Sequence, residues 1–370
     1  MAEFAKGAQQ VTIYSNPDRF EAHTCVAELA NGDVVMTFCE TRAKKHEDFD
    51  SVFLVRSTDG GRTFDPATKT PVWPQTRYFG SDIPLITQLS DGTLLMNHLV
   101  TSFHGAKGIL EDMGWQSEEG LYRMKSAEGT WISRSTDNGH TWEPGYKVNS
   151  EPLRWTMPAD SILELPNGTL LMAVLGQLDT RRERKDQEPI RSVLLRSDNR
   201  GEDWEHWSTI AFDAAGIISF DEPALGRTAD GVLVCMMRTE HLPRGRHQHM
   251  WVAYSRDDGE SWSRPEATNL WGYPADLTLL SDGRMLCTYG YRRGTYGVRG
   301  VISPDGLSWD VANEFIIREG AIPPRSATRD FYHIGYPHSV QLTDGTIFSV
   351  DHAFTDEPYM QYVVGVRWEL

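Results

Sequence analysis

The chain alternates short apolar runs with turn residues along its whole length, and two patterns interleave. In the first, an apolar run leads into Ser, Asp, Gly and then an aromatic: "VFLVRSTDGGRTF" (52–64), "TWISRSTDNGHTW" (130–142), "SVLLRSDNRGEDW" (192–204), "MWVAYSRDDGESW" (250–262) and a shortened "GVISPDGLSWD" (300–310). In the second, apolar runs flank Asn-Gly or Asp-Gly: "ELANGDVVMTF", "QLSDGTLLMNH", "ELPNGTLLMAV", "RTADGVLVCMM", "LLSDGRMLCTY" and "QLTDGTIFSVD". Asn-Gly and Asp-Gly supply the left-handed backbone of a tight hairpin, so each copy reads as strand, turn, strand.

The patterns alternate at roughly 45- to 75-residue intervals, the scale of one antiparallel sheet of about four strands. Six hairpins therefore predict six sheets. The last segment, from "HSVQLTDG" to "VVGVRWEL", lacks a Ser-Asp-Gly-aromatic element, and "QVTIYS" (10–15) is available to supply its outer strand. The prediction is an all-β fold: a six-bladed β-propeller of four-stranded antiparallel blades, one domain over 1–370, with the N-terminal strand closing the last blade. Closure removes the free sheet edge that an open array would leave.

Composition narrows the partners. Asp and Glu number 52 against 36 Lys and Arg, a formal net charge of −16, which argues against nucleic acid or an anionic membrane as partner. Cys25, Cys39, Cys235 and Cys287 each sit in an apolar run, with no spacing that suggests zinc, and are expected as free buried thiols. No apolar run reaches 18 residues and no leader pattern is visible, so the expected location is cytoplasmic, or exported with the leader absent.

In a propeller, the starts of the innermost strands and the ends of the second strands share one face. Those positions hold His23, Asp82, Asp160, Glu222, Asp276 and His338, then Glu40, Arg42, His98, Gln177, Arg238, Tyr291 with Arg292, and His352. Each ionisable group there must be solvated or paired, which makes this face the candidate site; a solvated rim is the alternative.

The S-x-D-x-G-x-x-W/F element resembles the Asp box of the sialidase (neuraminidase) superfamily. Asp59, Asp137, Asn199 and Asp257 occupy its turn position, suited to capping neighbouring N–H groups. The boxes are scaffold, and say little about chemistry. The resemblance implies hydrolysis of glycosides whose sugar carries a carboxylate, with three arginines on that group, a Tyr nucleophile assisted by Glu, and an Asp acid/base. Arginine forks suit carboxylates, and a neutral phenol approaches an anionic sugar without charge repulsion.

By the same resemblance, "DEPALGRTADGVLVCMMR" makes Glu222 the helper and Arg238 a clamp arginine, and "GYPHSVQLTDG" makes Tyr336 the nucleophile. "ETRAKKHEDFDS" offers Asp48, ahead of Asp50, as the acid, and "YGYRRGTYGVRGVIS" offers Arg292 and Arg299 to the clamp. One departure stands out. The family's Arg-Ile-Pro is missing, and "FEAHTCVAEL" puts His23 where the first arginine belongs, leaving Arg42 or Arg77 as replacements from elsewhere. Tyr273, in "GYPADLTLLSDG", repeats the setting of Tyr336 one blade earlier, so Tyr336 also reads as a repeat position.

The expected function is an exo-acting glycoside hydrolase on a terminal anionic sugar, needing no cofactor and no metal. Asp82, Asp160, Asp276, His23 and His338 join the arginines as substrate-binding candidates, with a carbohydrate as the partner. Two alternatives stay open. One is a lyase or inverting hydrolase on uronic-acid glycans using His23 or His338 for proton transfer. The other is a carbohydrate-binding propeller without catalysis.

Overall fold

The computed structural model describes residues 2–41, 51–74, 79–104, 124–178, 190–241, 249–320, 335–355 and 360–370. The apolar runs become strands, and the described residues contain no α-helix, only a 3-10 turn at Val311–Asn313. Second strands such as Val34–Thr41 are buried along their whole length. Continuous apolar runs are what a strand covered on both faces requires. Outer strands such as Asp65–Trp73 are largely exposed and correspondingly polar.

Six antiparallel sheets follow in chain order. Blade 1 runs Phe20–Glu28, Val34–Thr41, Ser51–Ser57 and Asp65–Trp73; blade 2 runs Phe79–Gln88, Leu94–His104, Met124–Ser135 and Tyr146–Lys147. In blade 3 the inner strand is split into Leu153–Pro158 and Leu163–Glu164, ahead of Leu170–Leu178, Arg191–Ser197 and Glu205–Ala211. Blade 4 comprises Ile218–Arg227, Leu233–His241, Trp251–Ser255 and Glu266–Ala267. Blade 5 comprises Ala275–Leu279, Met285–Tyr291, Gly297–Ser303 and Phe315–Glu319, with Glu3–Phe4 added in parallel at its edge. Blade 6 comprises His338–Gln341, Ile347–Thr355 and Met360–Glu369, and Lys6–Tyr14 completes it. Inner strands pack blade to blade around the ring, with blade 6 against blade 1. The expected six-bladed propeller and its N-terminal closing strand are both present.

Local chemistry fixes the turns. The hairpin glycines Gly32, Gly92, Gly168, Gly231, Gly283 and Gly345 have φ between 86° and 89°, where a side chain is strained. In the Asp boxes, the Ser57, Ser135 and Ser255 hydroxyls pair with Asp59, Asp137 and Asp257 at 2.7–2.8 Å. The same hydroxyls accept the Gly61, Gly139 and Gly259 amides at 2.9–3.0 Å. Burial is the largest single influence on Asp59 and raises it, but hydroxyl and main-chain donors together outweigh it and hold the carboxyl down to about 2. At Asp137 and Asp257 the hydroxyl and main-chain donors lead, and hold those carboxyls down to about 2 as well. The box aromatics seal seams: Trp204 packs with blade 2 and 3 side chains, and its Nε1 donates to the Tyr146 hydroxyl at 3.2 Å.

Gly297 lies where blade 5 is tightest. Its φ is 145°, and a Cβ would sit 2.0 Å from the Arg318 carbonyl oxygen, whereas a Cβ on Gly32 meets nothing within 4 Å. Gly32→Ala should therefore cost only the left-handed penalty, about 1 kcal/mol. Gly297→Ala should cost about 1–3 kcal/mol more through backbone displacement. Urea or thermal unfolding of both variants checks this; equal losses would contradict it.

Candidate active site

Three inner strands break their ladders at equivalent places. The register shifts between Ala22 and Cys25 in blade 1, Asp82 and Leu85 in blade 2, and Asp221 and Ala224 in blade 4. At each bulge a residue other than glycine takes positive φ: His23 (47°), Ile83 (53°) and Glu222 (42°). Such backbone costs about 1–3 kcal/mol per residue and concentrates at functional sites, and a bulge re-aims the side chain it carries. His23 and Glu222 line a cavity of about 140 Å³, together with Asp82, Tyr336 and His338. Met157, Pro158 and Pro274 contribute to its apolar wall.

Glu222 and Tyr336 come from blades 4 and 6. The Tyr336 hydroxyl donates to Glu222 Oε1 at 3.1 Å, and Arg238 Nη1 donates to the same oxygen at 2.8 Å. The other Arg238 nitrogen, Nη2, binds Glu240 at 2.8 Å. Burial raises the Tyr336 phenol, and the Glu222 charge adds to this, while Arg292 and Arg238 pull it back. At Arg238 burial opposes the charge, but Glu222, Tyr336 and Glu240 outweigh it, so the guanidinium stays charged.

Arg292, just past the second strand of blade 5, faces the Tyr273 ring at 4.3 Å and the Tyr336 ring at 5.5 Å. Arg238 lies 4.5 Å from the same Tyr273 ring. Nε, Nη1 and Nη2 of Arg292 are all closed off from solvent, and the acceptor its guanidinium approaches is the Tyr336 phenol. A buried guanidinium in that state is set up to take an anion.

His23 Nδ1 donates to Asp82 Oδ1 at 2.6 Å. The His23 and Tyr336 rings meet edge-on, centroids 4.7 Å apart. In the same cavity, His338 Nδ1 lies 3.2 Å from Asp276 and 4.0 Å from Asp160. Burial raises the Asp160 carboxyl, with the Asp276 charge adding and His338 opposing. Burial alone would lower His338, but Cys25 and Asp276 beside it raise it.

Two triplets bring metal-ligand atoms within 4.8 Å of one another: His23, Cys39 and Asp82, and Asp160, Asp276 and His338. Main-chain donors already engage the carboxylates in both. Ile83 N–H binds Asp82 at 2.7 Å, Leu225 N–H binds Asp160 at 2.7 Å, and Ser339 N–H binds Asp276 at 2.9 Å. These bonds position the carboxylates of both triplets. All four cysteines are free and buried.

The structure thus brings together Tyr336, Glu222, Arg238, Arg292, His23, Asp82 and His338, with Asp160 and Asp276 beneath them. Arg299 does not join them and is a correction to the expected clamp. Its Nη2 binds Glu319 at 2.6 Å and Thr295 at 3.1 Å, fastening the third strand of blade 5 to the outer one. Strand alternation turns its side chain toward those partners. His98, expected at the channel mouth, is instead buried between Ser81 and Ser133, and burial lowers its pKa to about 3. Asp48, Asp50, Arg42 and Arg77 lie outside the described residues.

Tyr273 was read only as a repeat of Tyr336, and its place between two guanidinium groups went unforeseen. The bulges were missed as well. Their signal was Pro84 and Pro223, each inside an otherwise regular strand directly after the left-handed residue. Proline in a strand marks an edge or a bulge.

Residues 80–349 match the BNR repeat-like domain family. No curated protein matches the sequence. Among solved structures, the chain is similar to a protein of unknown function from Dyadobacter fermentans, 24% identical, with a TM-score of 0.80 over 98% of this chain and 99% of that one. It is also similar to the NanB sialidase of Streptococcus pneumoniae: 14% identity, TM-score 0.68, 97% of this chain and 70% of that one. An intramolecular trans-sialidase from Ruminococcus gnavus, in complex with oseltamivir carboxylate, gives 12% identity and a TM-score of 0.66 over 99% and 98%. At these identities the likeness is one of fold.

The strand that delivers His23 also buries a carboxyl. Glu21 is 0% exposed and stands opposite Glu40 in register. Burial, and then the Glu40 charge, push Glu21 up from 4.5 to about 9. The folded protein therefore keeps a proton that the unfolded chain releases, and stability falls as pH rises from 4.5 to about 9. Glu21→Gln, which cannot ionise, should raise the melting temperature more at pH 8 than at pH 5. Equal shifts at both pH values would contradict this.

Proposed function

The chain belongs to the BNR repeat-like domain family, and from that premise we propose an exo-acting glycoside hydrolase of sialidase type, removing a terminal anionic sugar such as a sialic acid or a related acidic sugar. The observation that carries this reading is the hydrogen bond from Tyr336 to Glu222, 114 residues apart and 3.1 Å long. A tyrosine becomes a useful nucleophile when a carboxylate stands ready for its proton. Here the phenol is raised by burial, so it stays neutral until attack, and Glu222 accepts the proton as the bond to the sugar forms.

The anion is held mainly by Arg292, a guanidinium closed off from solvent beside the Tyr336 ring. Arg238 is already bonded to Glu222 and Glu240, and serves chiefly to hold Glu222 in place. The leaving oxygen needs an acid. Asp48 or Asp50 is one source, and a channel histidine is another.

The test is turnover of 4-methylumbelliferyl glycosides of N-acetylneuraminic acid and of glucuronic acid. Hydrolysis of at least one is expected, with Tyr336→Phe lowering the rate by about two orders of magnitude or more. Wild-type rates in Tyr336→Phe would overturn the reading, and binding without turnover would favour the non-catalytic alternative. Arg292→Lys should raise KM about tenfold, since a single ammonium replaces a fork. Arg299→Lys should lower the melting temperature and leave KM unchanged.

A further inference from the structure

We propose that His23, oriented by Asp82, is the proton-transfer residue of this site. The assignment rests on the glycosidase reading above and decides between its two sources of acid. An arginine at this place would be a permanent cation, unable to give or take a proton under ordinary conditions. A histidine changes the place from an anion anchor into a titratable group.

The surroundings of His23 fit that change. Asp82 Oδ1 accepts from His23 Nδ1 at 2.6 Å and from the Ile83 amide at 2.7 Å, and lies 3.2 Å from the Cys39 thiol, whose one proton the Ala22 carbonyl also draws at 3.1 Å. The two nitrogen donors fix the oxygen, and the oxygen fixes the ring. With Nδ1–H committed to Asp82, Nε2 is the nitrogen that gains and loses a proton. The edge-on contact with Tyr336 at 4.7 Å and the left-handed backbone at His23 hold the ring toward the cavity that Tyr336 and Glu222 also line. His23 lines the same cavity as the Tyr336 hydroxyl's partner Glu222, which places it near a sugar carbon set against that hydroxyl.

Among the described residues, the groups facing His23 include Asp82, Cys39 and the Tyr336 and His352 rings, with Glu222 and His338 sharing the cavity. His338 is the weaker candidate. Its two carboxylate neighbours also anchor main-chain amides of blades 4 and 6, which makes that cluster a fastening.

The steps balance. In the first, the His23 imidazolium gives its Nε2 proton to the glycosidic oxygen as the bond from that oxygen to the sugar breaks. The Tyr336 oxygen bonds the same carbon and its proton passes to Glu222. In the second, neutral His23 takes a proton from water, the hydroxide portion bonds the sugar carbon, and Tyr336 leaves and recovers its proton from Glu222.

The test takes whichever acidic sugar the wild-type protein hydrolyses and presents it with two leaving groups: 4-methylumbelliferone, which departs without acid help, and a simple alcohol, which does not. His23→Gln should keep the aryl rate within about tenfold and lose about 10²–10⁴-fold on the alkyl glycoside. Asp82→Asn should move the alkaline limb of the alkyl pH–rate profile to lower pH, a shift that a purely structural role would not produce. Should His23→Gln fail to fold by circular dichroism, the Asp82→Asn limb decides. Equal losses on both leaving groups, an unmoved limb, or a leaving-group split in Asp48→Asn or Asp50→Asn would overturn the assignment and leave the glycosidase reading standing. A wild-type protein inactive on every probe would overturn both.

Discussion

The ladder between Lys6–Tyr14 and Met360–Glu369 holds the molecule in register with itself. It runs antiparallel from Lys6 opposite Glu369 to Tyr14 opposite Val363, and makes the two ends of the chain into one blade. The seam it closes lies between blades 6 and 1, and the candidate site straddles that seam. His23 and Tyr336 meet across it, the Thr24 hydroxyl donates to the Tyr336 carbonyl at 3.4 Å, and the Thr343 amide donates to Glu28 at 2.7 Å. A ring left open would separate the nucleophile candidate from the histidine beside it.

Within the ring, buried carboxylates set the heights of the strands that carry chemistry. Asp160 of blade 3 takes the amide of Leu225, three residues past Glu222, and Asp276 of blade 5 takes the amide of Ser339, three residues past Tyr336. Each therefore reaches across to the neighbouring blade and pins the strand that presents a reactive side chain. Burying charge in this way is costly unless it is bonded, and these oxygens are bonded. Bulges at His23 and Glu222 then aim the side chains, so strand height and side-chain direction have separate physical causes.

The architecture was legible because hairpin glycines and Asp-box turns are local chemistry, repeated along the chain. The pairing of Tyr336 with Glu222 was legible only through resemblance, since nothing in composition or spacing links residues 114 positions apart. Strand position predicts a face of the sheet for Arg299 but not its partners, Glu319 on the next strand and Thr295 in the turn before its own. His23 was visible as a departure from a motif. Its partnership with Asp82 was not, because it joins two blades and arises from a bulge in each.

Attack by Tyr336 is the central claim, and the stereochemistry of the first-formed product tests it most directly. Following hydrolysis of an acidic aryl glycoside by ¹H NMR, before mutarotation, distinguishes two displacements from one. A covalent tyrosyl intermediate predicts that the released sugar keeps the anomeric configuration of the substrate. Inversion would contradict the account, because it would mean that water attacks the sugar directly and that Tyr336 never bonds to it.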